Sequence, residues 1–254
     1  MKSQENRPAA NTLISQWLSW SKQTSAADVR LREWGKRDSY PLIGVEIGNY
    51  SPSLPSVYIS AGVHGDEPAG ALALIDWVQQ RYRELPGIWH LAPLVNPSGW
   101  DAGTRENADG IDLNRDYGIP HSVETQQQQR WMESLPPISL FVSLHEDYET
   151  DGFYLYCLQQ KELGKRIIQA VSGVIPIEQH YADGHPLEDG LVHTLNPDEV
   201  VREMGDSLPE ALWFYQRYRC LNLTTETPSS RPLNSRIEAQ KRVLDTLLEY
   251  LIET

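Results

Sequence analysis

The chain has 254 residues, 40% of them apolar and 22% charged, with a formal net charge of −13 at neutral pH. That charge argues against a nucleic-acid partner, whose phosphates an acidic surface repels, but not against a small anionic substrate, since a local pair such as Arg105 and Arg115 can set the field in a cleft. No stretch approaches the roughly 20 apolar residues of a membrane span, the polar first ten residues hold no apolar leader, and two cysteines fall short of a disulfide framework, so a reduced, cytoplasmic protein is expected.

Residues 11–22 place Leu13, Trp17 and Trp20 on one side of a helix. A short strand over 42–47 ends at Gly48-Asn49, and a β-branched, alternating run over 56–61 predicts a second strand. Pro68, favourable at a first helical position, opens a helix to about 83. A strand over 88–95 closes on the turn Asn96-Pro97-Ser98-Gly99. Residues 100–120 show little periodicity but many Gly, Asp, Asn and Arg, the composition of a functional loop.

Ser122 caps a predicted helix to about 133, and the apolar run 138–144 suits a central strand. A strand over 153–158, a helix over 161–171 and a loop over 181–196 follow. The 208–217 segment reads as a helix, and 220–225 as a strand running into Glu226. The closing helix, 233–252, turns Ile237, Val243, Leu244, Leu247, Leu248 and Leu251 to one side. The eight Trp and twelve Tyr do not alternate with basic residues, so they read as core and rim rather than a stacking platform.

Strands alternating with helices predict an α/β fold, a three-layer α/β/α sandwich around a central mixed sheet. No linker or repeat divides it, so residues 1–254 read as one domain, with 1–33 as an N-terminal helical segment packed on it.

The chemistry concentrates in Val63-His64-Gly65-Asp66-Glu67, after one strand, and Ser143-Leu144-His145, at the end of another. Ligands gather in loops at the carboxyl ends of strands in open α/β sheets. Two histidines and one carboxylate form the open three-ligand set that suits a catalytic zinc, because a fourth position stays free. Blander readings exist for the remaining residues: Arg115 as a salt-bridge partner of Asp112 or Asp116, and Glu226 as the start of a polar turn before Pro228.

The motifs in order resemble those of the M14 zinc metallocarboxypeptidases. Val63-His64-Gly65-Asp66-Glu67-Pro68 is similar to their first metal motif, and Asn96-Pro97-Ser98-Gly99-Trp100 to the turn that follows. Arg105-Glu106-Asn107 and Gly110-Ile111-Asp112-Leu113-Asn114-Arg115 resemble the arginine and asparagine–arginine motifs. Glu124-Thr125, Leu144-His145 and Thr225-Glu226 match later motifs, and Trp34-Gly35-Lys36 with Glu46-Ile47-Gly48 resembles the opening strand.

The resemblance implies a zinc-carboxypeptidase-like fold holding one zinc ion per chain through His64, Glu67 and His145. It implies Glu226 as the base that moves a proton from water to the leaving nitrogen, and Arg105 as the group that polarises the scissile carbonyl. Asn114 and Arg115 would dock a terminal carboxylate, and Asp112 would support His64 from behind.

The chain departs from the pattern in three ways. Glu146-Asp147 follows His145 where a small residue is common and could attract a second cation; the length is short for a digestive-type enzyme; and Tyr181, Tyr215 and Tyr218 are candidates for an active-site tyrosine without a matching motif.

The implied activity is hydrolysis of an amide bond beside a free carboxylate, as in carboxypeptidases and murein peptide amidase. Asp206 is a candidate partner for an amino-bearing side chain, or a helix cap. An N-acyl amino acid deacylase of the succinylglutamate desuccinylase/aspartoacylase type is the alternative, and a non-catalytic metal-stabilised binding domain is a third reading. The partner is therefore a peptide or an N-acyl amino acid, with no nucleic acid, no membrane and no predicted oligomeric state. His90, His121, His180, His185 and His193 read as structural, with His185 and His193 near enough in sequence to line the cleft.

Overall fold

The computed structural model describes residues 7–24, 28–157, 159–182, 184–192 and 196–254. In chain order the elements are α1 (Ala10–Gln23), β1 (Val29–Arg37), β2 (Tyr40–Gly48), β3 (Ser56–Ala61), α2 (Pro68–Arg81), β4 (Ile88–Ala92), α3 (Pro97–Ala102) and a 3-10 turn (Leu113–Arg115). There follow α4 (Val123–Glu133), β5 (Leu140–Asp147), β6 (Tyr154–Cys157), α5 (Lys161–Ser172), β7 (Tyr181–Ala182), β8 (His185–Pro186) and β9 (Leu191–Val192). The chain ends with α6 (Pro197–Met204), α7 (Glu210–Tyr218), β10 (Leu221–Pro228) and α8 (Leu233–Glu253).

Eight strands form one sheet in the order β1-β2-β4-β3-β5-β10-β6-β9, and β7 pairs with β8 apart from it. Strands β4, β3, β5 and β10 run parallel at the centre, while β1, β2 and β6 pair antiparallel with their inner neighbours. The predicted mixed sheet is therefore present. Period-2 alternation explains the layers. Leu140, Val142 and Leu144 of β5 join a core with α1, α2, α5 and α8 on one face. Phe141 of the same strand packs on the other face with Trp131 of α4 and Phe214 of α7. Helices on both faces of the sheet complete the α/β/α sandwich.

Helix α1 buries Leu13, Ile14 and Trp17 at the i, i+1, i+4 spacing of one helical face. Each such side chain contributes about 1.5–3 kcal/mol on leaving water. Ser122 caps α4 as predicted, its Oγ accepting from Thr125 N at 3.1 Å.

The N-terminal reading needs correction. The helix ends at Gln23, and residues 29–37 form an edge strand rather than part of a helical segment. Its charged outward residues and a register shift between Glu33 and Gly35 hide the alternation. Such charges are how edge strands avoid pairing with other chains. The 153–158 strand is observed as Tyr154–Cys157, with Leu158 outside the described residues, and the loop read over 181–196 contains three two-residue strands. Both cysteines are buried and free, and among the described residues no helix is long and apolar enough to cross a membrane.

Candidate metal centre

His64 and Glu67 sit in the turn between β3 and α2, and His145 near the carboxyl end of β5. Two glycines make this turn possible. Gly62 has a positive φ of 62°, a region that costs a non-glycine residue steric energy. A side chain at Gly65 would overlap the backbone of Gly99 and Trp100, so the loop lies flat against α3.

The Arg7 guanidinium secures that contact from outside. It donates to Gly65 O at 2.7 Å and to Trp100 O at 2.6 Å, and stacks 5.0 Å from the Trp100 ring centre.

The three side chains are buried and converge. Nδ1 of His64 lies 2.5 Å from one oxygen of Glu67, and Nδ1 of His145 lies 2.8 Å from the other. One potential ligand atom from each residue falls within 4.8 Å of the others. Nε2 of His64 contacts Asp112 Oδ1 at 3.1 Å, which orients the ring with Nδ1 toward Glu67. Two imidazole nitrogens and a carboxylate, held from behind, are a donor set that fits a divalent metal ion.

The charges within the site support one another. Burial disfavours the imidazolium of His64, but Glu67 and Asp112 outweigh it and raise the pKa to about 9. Burial also opposes ionisation of Glu67, yet His64 and His145 hold its carboxyl well below the ordinary range. Asp112 is likewise depressed, with burial overcome by His64 and Arg105. Burial dominates at His145 and lowers its pKa.

The remaining candidates gather around this cluster. Arg105 Nε donates to Asp112 Oδ2 at 2.9 Å, and its Nη1 is 3.7 Å from Glu67. Asp112 also caps the 3-10 turn by accepting from Asn114 N at 2.9 Å. Asn114 Oδ1 accepts from Glu210 N at 3.0 Å, which leaves its amide nitrogen as the donor for the cavity. Arg115 makes no ion pair among the described residues, since Asp112 serves His64 and Arg105, and Asp116 accepts from His121 N and Ser122. Glu226 pairs in parallel register with His145, so both side chains stand on the same face of the sheet. All eight residues line one cavity of about 510 Å³, a size typical of small-molecule sites.

Several expectations resolve differently. Glu146 points away from the cluster: its carboxylate accepts from Ala69 N at 2.6 Å and from Thr227 and Arg236. That leaves it poorly placed to attract a second cation. Asp147 does line the cavity, accepting from Tyr154 Oη at 3.1 Å.

Of the three tyrosine candidates only Tyr215 lines the cavity. Tyr181 is exposed, and Tyr218 packs against α4, donating to Met132 O. Tyr148, Tyr154 and Tyr156 line it unforeseen. His185 lines it too, His90 is buried within strand β4, His121 and His180 are exposed, and His193 lies outside the described residues. Asp206 is exposed and away from the cavity lining. Asn222 and Thr224 were missed, although the alternation Asn222-x-Thr224-x-Glu226 turns all three to one face.

The mixed sheet and the His–Glu–His cluster at its strand ends have the arrangement of a metallocarboxypeptidase-like fold. A model of the succinylglutamate desuccinylase/aspartoacylase catalytic domain matches residues 53–208. The chain belongs to that family, within the M14-like group. Carboxypeptidase SOL1 of Arabidopsis thaliana is 33% identical over 103 residues, covering 35% of this chain and 21% of that protein. Murein peptide amidase A of Escherichia coli K12 is 35% identical over 79 residues, 31% of this chain and 32% of that protein. The aligned stretches thus span a fifth to a third of these relatives.

Among solved structures, a Shewanella amazonensis chain provisionally named a metallopeptidase superposes with a TM-score of 0.80 at 20% identity, covering 95% of this chain and 92% of that one. A Burkholderia cenocepacia metallo-carboxypeptidase gives 0.71 at 18% identity, covering 94% and 68%. At these identities the likeness is one of fold.

Proposed function

We propose that the chain, acting as one domain, is a zinc-dependent hydrolase that cleaves an amide bond adjacent to a free carboxylate. The observation that carries this reading is the register of β5 and β10, which sets Glu226 beside His145 over the three-ligand cluster. A pure metal-stabilised binder would have no use for a proton-carrying carboxylate there. His64, Glu67 and His145 would hold the ion. When bound, zinc lowers the pKa of a coordinated water to about 7 and polarises a carbonyl.

The chain's own residues supply the rest. Glu226 takes a proton from the attacking water as its oxygen bonds to the carbonyl carbon, then delivers that proton to the nitrogen as the C–N bond breaks. The products are an acid and an amine. Arg105, anchored through Nε on Asp112 and with Nη1 3.2 Å from His64 Nδ1, would offer its guanidinium N–H groups to the developing oxyanion. Asn114 donates from its amide nitrogen and Arg115 from its guanidinium to the substrate carboxylate. Asp112 keeps the His64 ring in its metal-facing orientation.

A second reading has its own support. The family model is that of the desuccinylase/aspartoacylase domain, which favours an N-acyl amino acid as substrate over a peptide. The relatives' names, a carboxypeptidase and a murein peptide amidase, favour the peptide.

Zinc-loaded protein assayed in parallel on blocked peptides and N-acyl amino acids separates the two. Glu226→Gln should retain the metal and lose nearly all turnover of whichever class is cleaved. Undiminished turnover in that variant would eliminate the proposed base.

A further inference from the structure

Resting on the hydrolase reading above, we infer that the part of the cavity leading away from the metal cluster receives an uncharged, largely apolar side chain of the released residue and rejects acidic and basic ones. The strand geometry locates this region. Thr224 and Asn222 precede Glu226 on β10 by two and four positions, so they lie about 7 and 13 Å back along the strand at roughly 3.3 Å per residue. On the neighbouring strand Tyr154 sits opposite Glu226 and Tyr156 opposite Thr224. The facing wall comes from α6 and α7, with Val200, Met204, Leu212 and Tyr215 turned to the same cavity.

The polar groups at the far end are neutral, and most of their donors are already committed. Asn222 donates from Nδ2 to Ala211 O at 2.5 Å and from its backbone N to Gln159 Oε1 at 3.0 Å. Gln159 in turn donates to Cys220 O at 3.0 Å. Two acidic residues nearby in sequence do not serve the cavity. Asp198 accepts from Arg219 at 2.6 Å and from Tyr215 Oη at 3.3 Å, and Asp206 is exposed outside the lining. Among the described lining residues, the carboxylates and guanidinium groups belong to the cluster with Glu226 beside it, its supporting turn, the buried Glu146 or the rim at Asp147 and Glu149, and the imidazole of His185 stands 6.5 Å from the Tyr156 ring.

A charged side chain sent down this wall past Glu226 would lose water and meet no carboxylate or guanidinium group among the described lining residues. Burying such a group unpaired is strongly unfavourable, whereas an aliphatic or aromatic one gains from burial. The same absence weighs against a substrate with a second carboxylate at this end, because Arg105 is engaged by Asp112 and Arg115 is the group for the first carboxylate. The acidic rim at Asp147 and Glu149, with Glu226 at the mouth of this region, pulls toward a basic side chain.

The test uses zinc-loaded protein and blocked tripeptides differing only in the last residue: Leu, Met, Phe, Lys, Arg, Asp or Glu. The inference predicts kcat/KM for Leu, Met and Phe at least about 100-fold above the charged residues. Leu212→Asp, at a half-buried position, should raise kcat/KM for Lys and Arg at least about tenfold relative to Leu; Met204→Asp is the substitute should that variant misfold.

Fastest release of Lys, Arg, Asp or Glu by the wild-type protein would overturn the inference while leaving the hydrolase reading intact. Should no peptide or N-acyl amino acid be cleaved, the hydrolase reading fails, and calorimetric binding of free L-leucine and L-phenylalanine against L-lysine and L-glutamate still decides the pocket. Tighter binding of the charged pair refutes it.

Discussion

Glu146 and Arg236 form an ion pair with both side chains fully buried, linking β5 to α8 directly behind the His–Glu–His cluster. Glu146 also accepts from Ala69 N in the first turn of α2, and its backbone N donates to Glu67 Oε2 at 3.1 Å. Removing one partner of a buried pair costs about 3–5 kcal/mol, because the other charge is left stranded. The two removals should nevertheless differ. An arginine cannot give up its proton, so Glu146→Gln strands a permanent cation and takes the full cost at alkaline pH, where Glu146 is ionised in the wild type. Burial, only partly offset by Arg236, raises the pKa of Glu146 to about 7, so in Arg236→Met the carboxyl can neutralise itself.

The sign follows from a folded-state pKa above the unfolded value. Wild type and Arg236→Met lose stability together from about pH 4 to 7, and the deficit of the variant opens above about pH 7, where only the wild-type carboxyl ionises against a partner, deepening until the variant's carboxyl ionises too. For a chain of this size Glu146→Gln should lower the melting temperature at pH 9 by roughly 6–20 °C, at about 2–4 °C per kcal/mol. The assay is urea and thermal unfolding followed by tryptophan fluorescence, on chelated protein so that metal binding does not mask the difference. The double variant should recover part of the loss. A Glu146→Gln protein within about 1 kcal/mol of wild type at pH 9 would refute the reasoning.

Three further outcomes are expected. Because the metal ion must displace a proton from His64, whose pKa is raised to about 9, apparent metal affinity should rise close to tenfold per pH unit from 7 to 9 and then level; Asp112→Asn should flatten that rise, and a flat wild-type profile in competitive chelator titrations would contradict it. Arg7→Ala, which removes two hydrogen bonds to the metal-loop and α3 carbonyls, should cost about 1–3 kcal/mol in urea unfolding and weaken metal binding; unchanged values for both would show that the loop holds itself. Burial raises the thiols of Cys157 and Cys220 to about 11 and about 12, so neither should react appreciably with a thiol reagent at pH 8 until the protein unfolds.

The sequence made the ligand cluster legible because its parts obey local rules. A β-branched strand, a glycine-rich turn and Pro68 at a helix start bracket His64 and Glu67. The apolar run to Leu144 forms a central strand that carries on through His145 to Asp147. Alternation along β10 likewise fixes the side from which Glu226 emerges.

What escaped has no local signature. Strand β1 carries its charge outward at an edge, α6 buries none of its residues, and β7 to β9 span two residues each, too short for any period. The pairing of Glu146 with Arg236 crosses 90 positions. Glu210, which fixes Asn114 through its backbone N and accepts from Ser60 and Gln128, is joined to them only by the fold. The cavity walls at Val200, Met204 and Leu212 read in sequence as ordinary helix residues.

The most direct measurement is metal content by mass spectrometry on protein purified without an affinity tag, for the wild type, His145→Ala and Glu226→Gln. The wild type and Glu226→Gln should each carry one zinc ion per chain, and His145→Ala should lose it, as expected of a three-ligand cluster with the proton-carrying carboxylate outside it. Wild-type protein that binds no divalent metal when supplied with it, or His145→Ala protein that keeps its full complement, would contradict the account.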